Sequence, residues 1–144
     1  MSKVTKNFEL YLKATESAAI AAAKLRGNGD GKAADKVATE AMRKVLQSSE
    51  VHTRVVIGEG ERDDAPMLYI GEEMGNPESD LKIDIAVDPL ECTNHCAKDL
   101  PDALSVLAAA PRGALLNAPD TYMNKLCGSS KLIGHIALDN SVED

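Results

Sequence analysis

Two short runs of β-branched residues, 54–57 and 83–87, each stop at a segment that carries carboxylates. The first run opens into Gly-Glu-Gly-Glu at 58–61, and the second opens into Asp-Pro-Leu-Glu at 88–91. Short apolar runs that are bounded by Gly or Pro are typical of strands. The sequence therefore predicts a sheet in which acidic side chains gather in the loops where strands end.

The chain before these runs carries two helical patterns. Apolar residues recur at helical spacing over residues 3–26 and again over residues 34–47, with Ala, Glu and Lys between them. The glycine-rich stretch 27–31 separates the two patterns and is expected to form a loop. The alanine-rich face of the first helix indicates close packing against another element.

The later part of the chain reads mainly as strands. Residues 67–74 fit either a strand or a helix, and residues 76–80 are expected to form a turn. The segments expected after that turn are a hairpin formed by 103–109 and 114–116, a short segment at 122–126 and a last strand at 132–138. Helices followed by strands predict an α+β or layered α/β fold, with two N-terminal helices packed on a mixed sheet. A length of 144 residues suits a single domain over 1–144.

The negative charge of the chain is concentrated in one segment. The formal net charge is −7, and eleven of the 23 acidic residues lie between positions 59 and 91, where only Arg62 and Lys82 are basic. A chain without a basic stripe gains nothing from releasing counterions at phosphates, which argues against nucleic acid as a partner. The acidic segment is either a solvated face or a site for a cation.

The compartment is predicted from what the sequence lacks. No apolar run approaches the roughly 20 residues that span a bilayer, so we expect no membrane association. The N-terminus shows no apolar signal region, and three cysteines form no disulfide framework. These features favour a cytoplasmic location.

Carboxylates in this pattern suit a hard divalent cation. Glu59 and Glu61 form a pair after the first strand run, Asp88 and Glu91 form a pair after the second, and Asp35 follows the glycine loop at the start of the second helix. Convergent carboxylates that leave room for phosphate and water are ligands for Mg²⁺ or Mn²⁺, and a helix N-terminus suits a phosphate. Turn acids are also common as solvated residues, and that alternative stays open for each pair by itself.

Several other polar residues receive plainer interpretations. The cluster Cys92, His95 and Cys96 could hold zinc, but its spacing fits no standard site, so ordinary packing is favoured. His52 and His135 are expected to be surface residues beside strands. The pair at 72–73, both Glu, is expected to be solvated.

Three sequence blocks resemble class II fructose-1,6-bisphosphatase. The blocks are residues 55–73, 84–91 and 117–126, and they occur in the family's order and spacing. The closest similarity is to the bacterial and cyanobacterial form that also acts on sedoheptulose 1,7-bisphosphate, and the two helical segments resemble its amino-terminal part. The resemblance implies the layered fold of the lithium-sensitive sugar phosphatases. It also implies hydrolysis of the 1-phosphate of fructose 1,6-bisphosphate with Mn²⁺ or Mg²⁺, in gluconeogenesis or the reductive pentose phosphate cycle.

The resemblance also assigns roles by position. Asp35, Glu59, Asp88 and Glu91 match metal-binding carboxylates, and Glu59 is also a candidate catalytic residue. On the substrate side, Thr93 matches a catalytic and phosphate-contacting hydroxyl of the family, and Tyr122 matches a substrate contact.

The chain departs from the family pattern at three positions beside these residues and in its length. Gly31 stands where the family has Lys, Ala33 where it has Thr, and Cys92 where it has Gly. The family chain is about twice as long, and its second half supplies most sugar-phosphate contacts. We therefore expect a homo-oligomer or association with a C-terminal half. The alternatives are a catalytically incompetent module that binds metal or a full-length homologue, and a structural domain with acidic loops.

Overall fold

The computed structural model describes residues 7–60, 67–116 and 124–140. Its elements, in chain order, are α1 (Phe8–Ala23), α2 (Gly31–Gln47), β1 (His52–Ile57), β2 (Glu73–Met74), β3 (Lys82–Glu91), α3 (Thr93–Ala97), β4 (Leu104–Pro111) and a 3₁₀ turn (Ser130–Leu132). Within these ranges, no helix is both long enough and apolar enough to cross a bilayer.

The four strands form one mixed sheet in the order β2-β1-β3-β4. β1 and β3 are parallel, whereas β2 pairs antiparallel with β1 and β4 pairs antiparallel with β3. The helices α1 and α2 pack against this sheet and against each other. The predicted α+β arrangement of two N-terminal helices on a mixed sheet is therefore confirmed.

Small side chains set the packing of the two helices. Ala14, Ala18 and Ala22 of α1 are buried in the same core cluster as Ala34 and Ala38 of α2. Residues four apart lie on one helix face, so these alanines form a continuous contact stripe. The close packing expected of the alanine-rich face is confirmed.

Helix α2 begins at Gly31, three residues earlier than the sequence pattern indicated. The side chain of Asp30 accepts a hydrogen bond from the amide of Ala33 at 2.9 Å. An aspartate in this N-cap position satisfies an amide that the helix leaves unpaired. The cap therefore extends the helix into the stretch that had been expected to be a loop.

The helices cover one face of the sheet only. Ile83, Ile85 and Val87 of β3 belong to the core cluster, and Leu107 and Ala109 of β4 pack against it. Because successive side chains of a strand point to opposite faces, the alternate positions of both strands face away from the helices.

Three predicted strand segments are wrong. Residues 114–116 form no strand, and β4 pairs with β3 instead of forming a hairpin with them. Residues 132–138, including His135, form turns with exposed side chains, and 67–74 is mostly turns apart from β2. The predicted segment 122–126 lies partly outside the described residues, and 124–126 has no regular structure.

The second acidic segment belongs to a strand instead of a loop. β3 continues through Asp88 and Pro89 to Glu91, where the prediction ended it at Asp88. Its pairing with β4 shifts register between Asp88 and Glu91, and the amide of Leu90 donates to the Asp88 carboxylate at 3.1 Å. An irregularity of this kind bends a strand end and redirects its side chains.

Candidate functional site

A cleft of about 640 Å³ lies where β1 and β3 approach their carboxyl ends. It is lined by Asp35 from α2, Glu59 directly after β1, Asp88 and Glu91 from β3, and Thr93 at the start of α3. The structure therefore brings together five of the six residues singled out from the sequence. The sixth, the tyrosine at position 122, lies outside the described residues.

A close backbone approach fixes the position of Glu59. The amide of Glu59 donates to the carbonyl oxygen of Leu68 at 3.0 Å. A β-carbon at Gly58 would lie only 2.1 Å from that same oxygen and 2.6 Å from a methyl carbon of Val55. Only glycine allows this contact, so the Gly-Glu pair after β1 is needed to hold the carboxylate at the cleft.

The loop before α2 docks on α3 and so brings Asp35 to the same cleft. Two amides of the glycine-rich stretch 27–31 donate to carbonyl oxygens of α3, each at 2.9 Å. A β-carbon at Gly31 would lie 3.4 Å from the carbonyl oxygen of Thr93. Asp35 itself lies one turn inside α2, beyond the helix start where the sequence had placed it.

Three carboxyl groups of the cleft, those of Asp35, Glu59 and Asp88, have raised pKa values. Burial, followed by repulsion from Asp35 and Asp88, raises the pKa of Glu59 to about 7. Burial, together with a hydrogen bond to Glu91 and repulsion from it, raises the pKa of Asp88 to about 6. Burial also raises the pKa of Asp35. Full ionisation of this cluster therefore costs free energy unless a positive charge is added.

This donor set fits a hard divalent cation. All four side chains offer carboxylate oxygens, which Mg²⁺ and Mn²⁺ prefer. In the part of the chain that the structure describes, no three His, Cys, Asp or Glu side chains lie close enough to hold one ion as they stand. Binding by several of them would require side-chain rotations that bring their carboxylate oxygens within coordination distance of one ion.

The raised pKa values predict that, in EDTA, stability falls between pH 4.5 and about 7. Glu59 has an ordinary value of 4.5 and a folded value of about 7, so in this window the folded chain binds more protons than the unfolded chain. The stabilising proton is lost as the pH rises. Because Glu59 is only half-buried, we expect it to account for about 1–2 kcal/mol, measured by urea unfolding at a series of pH values.

The variant Glu59→Gln provides the control for this pH dependence. It keeps the size of the side chain and cannot titrate, so its stability should decline less steeply over the same window. Parallel pH profiles of wild type and Glu59→Gln would contradict the raised pKa.

An acidic residue that the sequence did not single out lies on the face of the sheet that points away from the helices. Asp84 is 1% exposed, and Arg54 donates two hydrogen bonds to it at 3.0 and 2.9 Å. The amide of Gly113 donates a third at 2.6 Å, and Arg112 lies 3.2 Å away. Burial acts to raise the pKa of Asp84, but the hydrogen bonds from Arg54 and Gly113 and the two positive charges hold that pKa below its usual value.

This charged network ties separate elements of the sheet together. It joins Arg54 on β1 to Asp84 on β3 and to the turn after β4. The sequence did contain a signal for this charged network, because Asp84 stands between two isoleucines in a run that is typical of a buried strand. An acid in such a position needs a buried partner, and the arginine of the other strand run supplies it.

Two predictions of solvated residues are wrong. Glu72 is buried, accepts a hydrogen bond from Arg43 at 2.7 Å and accepts another from the amide of Leu68. His52 is also buried and lies 3.5 Å from the carboxylate of Glu73, which is exposed as expected. Glu72 therefore does not face water. It binds the amide of Leu68, the residue whose carbonyl oxygen accepts the hydrogen bond from Glu59.

Two residues of the cysteine and histidine cluster make contacts with neighbouring elements. Cys96 is buried, and its thiol donates to the carbonyl oxygen of Ala22 at 3.6 Å. The Nδ1 atom of His95 lies 2.7 Å from the carbonyl oxygen of Pro101. These contacts support the packing interpretation for Cys96 and His95, whereas Cys92 is exposed.

Cys92 holds a backbone conformation that favours glycine. Its φ of 64° and ψ of 52° place it in the left-handed region, where a β-carbon is strained. Cys92→Gly is therefore expected to raise the melting temperature by about 2–5 °C, measured by calorimetry. Cys92→Ala keeps the β-carbon and should not give this gain. Equal melting temperatures for the Gly and Ala variants would show that the backbone is not strained.

Comparison with known proteins gives consistent matches along this chain. Residues 6–144 match the family model described as bacterial fructose-1,6-bisphosphatase, glpX-encoded. The chain is similar to the D-fructose 1,6-bisphosphatase class 2/sedoheptulose 1,7-bisphosphatase of Synechocystis sp., with 46% identity over 144 residues that cover 92% of this chain and 42% of the relative. The protein of the same description from Prochlorococcus marinus (strain NATL1A) is 51% identical over 125 residues, covering 87% and 37%. This chain spans about two fifths of the length of these relatives.

Proposed function

Because the chain belongs to the bacterial, glpX-encoded fructose-1,6-bisphosphatase family, we propose that its cleft serves the metal-dependent hydrolysis of the 1-phosphate of fructose 1,6-bisphosphate. The observation that carries this proposal is the convergence of Asp35, Glu59, Asp88 and Glu91, from three separate parts of the chain, on one cleft. Sedoheptulose 1,7-bisphosphate, which the relatives' names also include, is a second substrate of the same chemical class.

The four carboxylates would hold Mn²⁺ or Mg²⁺. When bound, such an ion polarises phosphoryl oxygens and lowers the pKa of a bound water. The raised pKa values of Glu59 and Asp88 support this assignment, because the crowded carboxylates gain most from a cation at neutral pH.

The remaining roles fall to residues that border the carboxylates. Thr93 lines the cleft at the start of α3, and we assign its hydroxyl to contact the phosphate. Glu59 stays a candidate catalytic residue as well as a metal-holding carboxylate, because it lines the same cleft as Asp88 and Thr93. Tyr122 is assigned to the sugar on the strength of the family resemblance.

The proposal also covers which part of the family fold this chain corresponds to. We assign residues 1–144 to one domain, equivalent to the amino-terminal part of the lithium-sensitive sugar phosphatase fold, acting in the cytoplasm. Because the chain spans about two fifths of its relatives, turnover would need a homo-oligomer or a complementary C-terminal half. A catalytically incompetent module that binds metal is the second candidate, and the strained Cys92 next to Thr93 favours it.

A phosphate-release assay with fructose 1,6-bisphosphate and Mn²⁺ tests the proposal. We expect the chain alone to be close to inactive, and the double variant Gly31→Lys with Cys92→Gly to remain so. Groups that position the substrate are worth up to roughly 7–11 kcal/mol, and we place most of them outside this chain. Turnover is expected when the complementary part of a relative is co-expressed.

Two controls decide between the candidates. Glu91→Gln should abolish the turnover that co-expression restores. Absence of turnover in the co-expressed pair favours the incompetent module. Turnover that Glu91→Gln leaves unchanged would contradict the site, and turnover by the double variant alone would show that this chain holds more of the catalytic groups than proposed.

A further inference from the structure

Residues 68–72, here called the return segment, run back along β1 and past its end. Near the middle of the strand, the amide of Val55 donates to the carbonyl oxygen of Glu72 at 2.9 Å. Beyond the strand end, the amide of Glu59 donates to the carbonyl oxygen of Leu68 at 3.0 Å. The position of Glu59 in the candidate site therefore depends on how firmly the return segment is held.

The return segment begins in a backbone conformation that disfavours its own side chain. Leu68 has a φ of 54°, in the left-handed region where a β-carbon is strained, and its side chain is fully buried. A residue stays in such a conformation only where its surroundings fix it. Here the amide of Leu68 donates to the carboxylate of Glu72, so that carboxylate holds the residue that receives the amide of Glu59.

The carboxylate of Glu72 is itself fixed by an arginine of α2. Glu72 is buried, and a carboxylate in such a position requires a partner of opposite charge. One of its oxygens accepts from the amide of Leu68, and the other accepts from Nε of Arg43 at 2.7 Å. Because α2 also carries Asp35, the ion pair connects the helix that supplies one carboxylate of the cleft to the segment that holds another.

We propose that Arg43 and Glu72 are positioning residues for the candidate site, and that their ion pair sets the affinity of the cleft for a divalent cation by fixing Glu59 relative to Asp35. Neither Arg43 nor Glu72 lines the cleft, so the pair acts through Leu68 without touching the ion. The inference deepens the proposed function, and its metal-binding part rests on that function.

Two variants remove the pair from either side. Glu72→Gln keeps the side-chain size, but its single amide oxygen cannot accept from both Arg43 and Leu68. Arg43→Met keeps a long, helix-favouring side chain and removes the donor and its charge. We expect each variant to bind Mn²⁺ about tenfold more weakly in a calorimetric titration, because partners that orient metal ligands have effects of this order.

Neighbouring residues provide controls matched in charge. Glu73 and Lys44 are exposed, and each stands next to one member of the pair in the sequence. Glu73→Gln and Lys44→Met should keep the Mn²⁺ affinity within about twofold, because exposed charges are screened. Arg43→Lys should recover most of the affinity that Arg43→Met loses, since an ammonium group can donate the bond that Nε of Arg43 donates.

Hydrogen exchange of the Glu59 amide measures the positioning without metal or catalysis. The exchange rate is followed by NMR in EDTA, with Asp84→Asn as the reference for a general loss of stability, because Asp84 lies on β3. We expect the Glu59 amide to exchange at least about tenfold faster in Glu72→Gln than in Asp84→Asn, because local opening of the return segment exposes it. If Glu72→Gln does not fold, Arg43→Met takes its place.

The outcomes separate this proposal from the proposed function. Absence of Mn²⁺ binding to the wild type would contradict the proposed function, and the amide exchange would then decide the positioning role alone. Equal exchange of the Glu59 amide in Glu72→Gln and Asp84→Asn would overturn the proposal. Wild-type Mn²⁺ affinity in both Glu72→Gln and Arg43→Met would also overturn it, as would an affinity in Arg43→Lys no higher than in Arg43→Met.

Discussion

Replacing Asp84 by Asn is expected to lower the free energy of unfolding by about 2–3 kcal/mol. The substitution keeps the side-chain size but removes the carboxylate charge that Arg54 and Arg112 both contact. Breaking a buried pair usually costs about 3–5 kcal/mol, and we take a lower value because both arginine side chains keep some contact with water. Urea unfolding at neutral pH measures the change.

A neighbouring substitution provides the matched control. Glu73 also pairs with Arg112, at 3.0 Å, but its side chain is half-exposed. Glu73→Gln should therefore cost less than about 1 kcal/mol, as is usual for an exposed ion pair. Equal costs for the two variants would mean that the Asp84 network does not stabilise the sheet as a buried group.

The sequence alone was sufficient to predict those elements that a local residue pattern determines. Both helices followed from apolar spacing, and β1 and the core of β3 followed from β-branched runs. Asp35, Glu59 and Asp88 could be grouped in advance, because the ends of neighbouring parallel strands lie at one edge of a sheet. The structure places them around one cleft.

The sequence alone did not predict the features that depend on a contact with a residue distant along the chain. Nothing near Glu72 in sequence shows that Arg43 on α2 would bury it, and nothing near Leu104 shows that β4 would pair with β3. The hairpin prediction failed for that reason, since alternating apolar residues fit any available sheet edge. The extension of β3 through Pro89 depends on the irregular pairing with β4.

Addition of Mn²⁺ is expected to increase the free energy of unfolding by about 2.7 kcal/mol when the free ion is 100-fold above its dissociation constant. The ion binds the folded chain and relieves the repulsion that raises the pKa of Glu59 and Asp88. Asp88→Asn removes one ligand and one source of repulsion, so most of the gain should disappear. Urea unfolding with and without Mn²⁺ gives the comparison.

Glu78→Gln is the control for the loss of one negative charge. Glu78 belongs to the same acidic segment and is exposed, but it does not line the cleft. Its variant should keep the full response to Mn²⁺. A reduced response in both variants would assign the effect to general screening of the acidic segment.

We propose that Asp35, Glu59, Asp88 and Glu91 form one binding site for a divalent cation. Calorimetric titration of Mn²⁺ into the wild type, Asp88→Asn, Glu59→Gln and Glu78→Gln tests this site most directly. We expect binding to be at least about tenfold weaker in Asp88→Asn and Glu59→Gln and unchanged in Glu78→Gln. Equal affinity in all four proteins would contradict it and would identify the acidic segment as a solvated face.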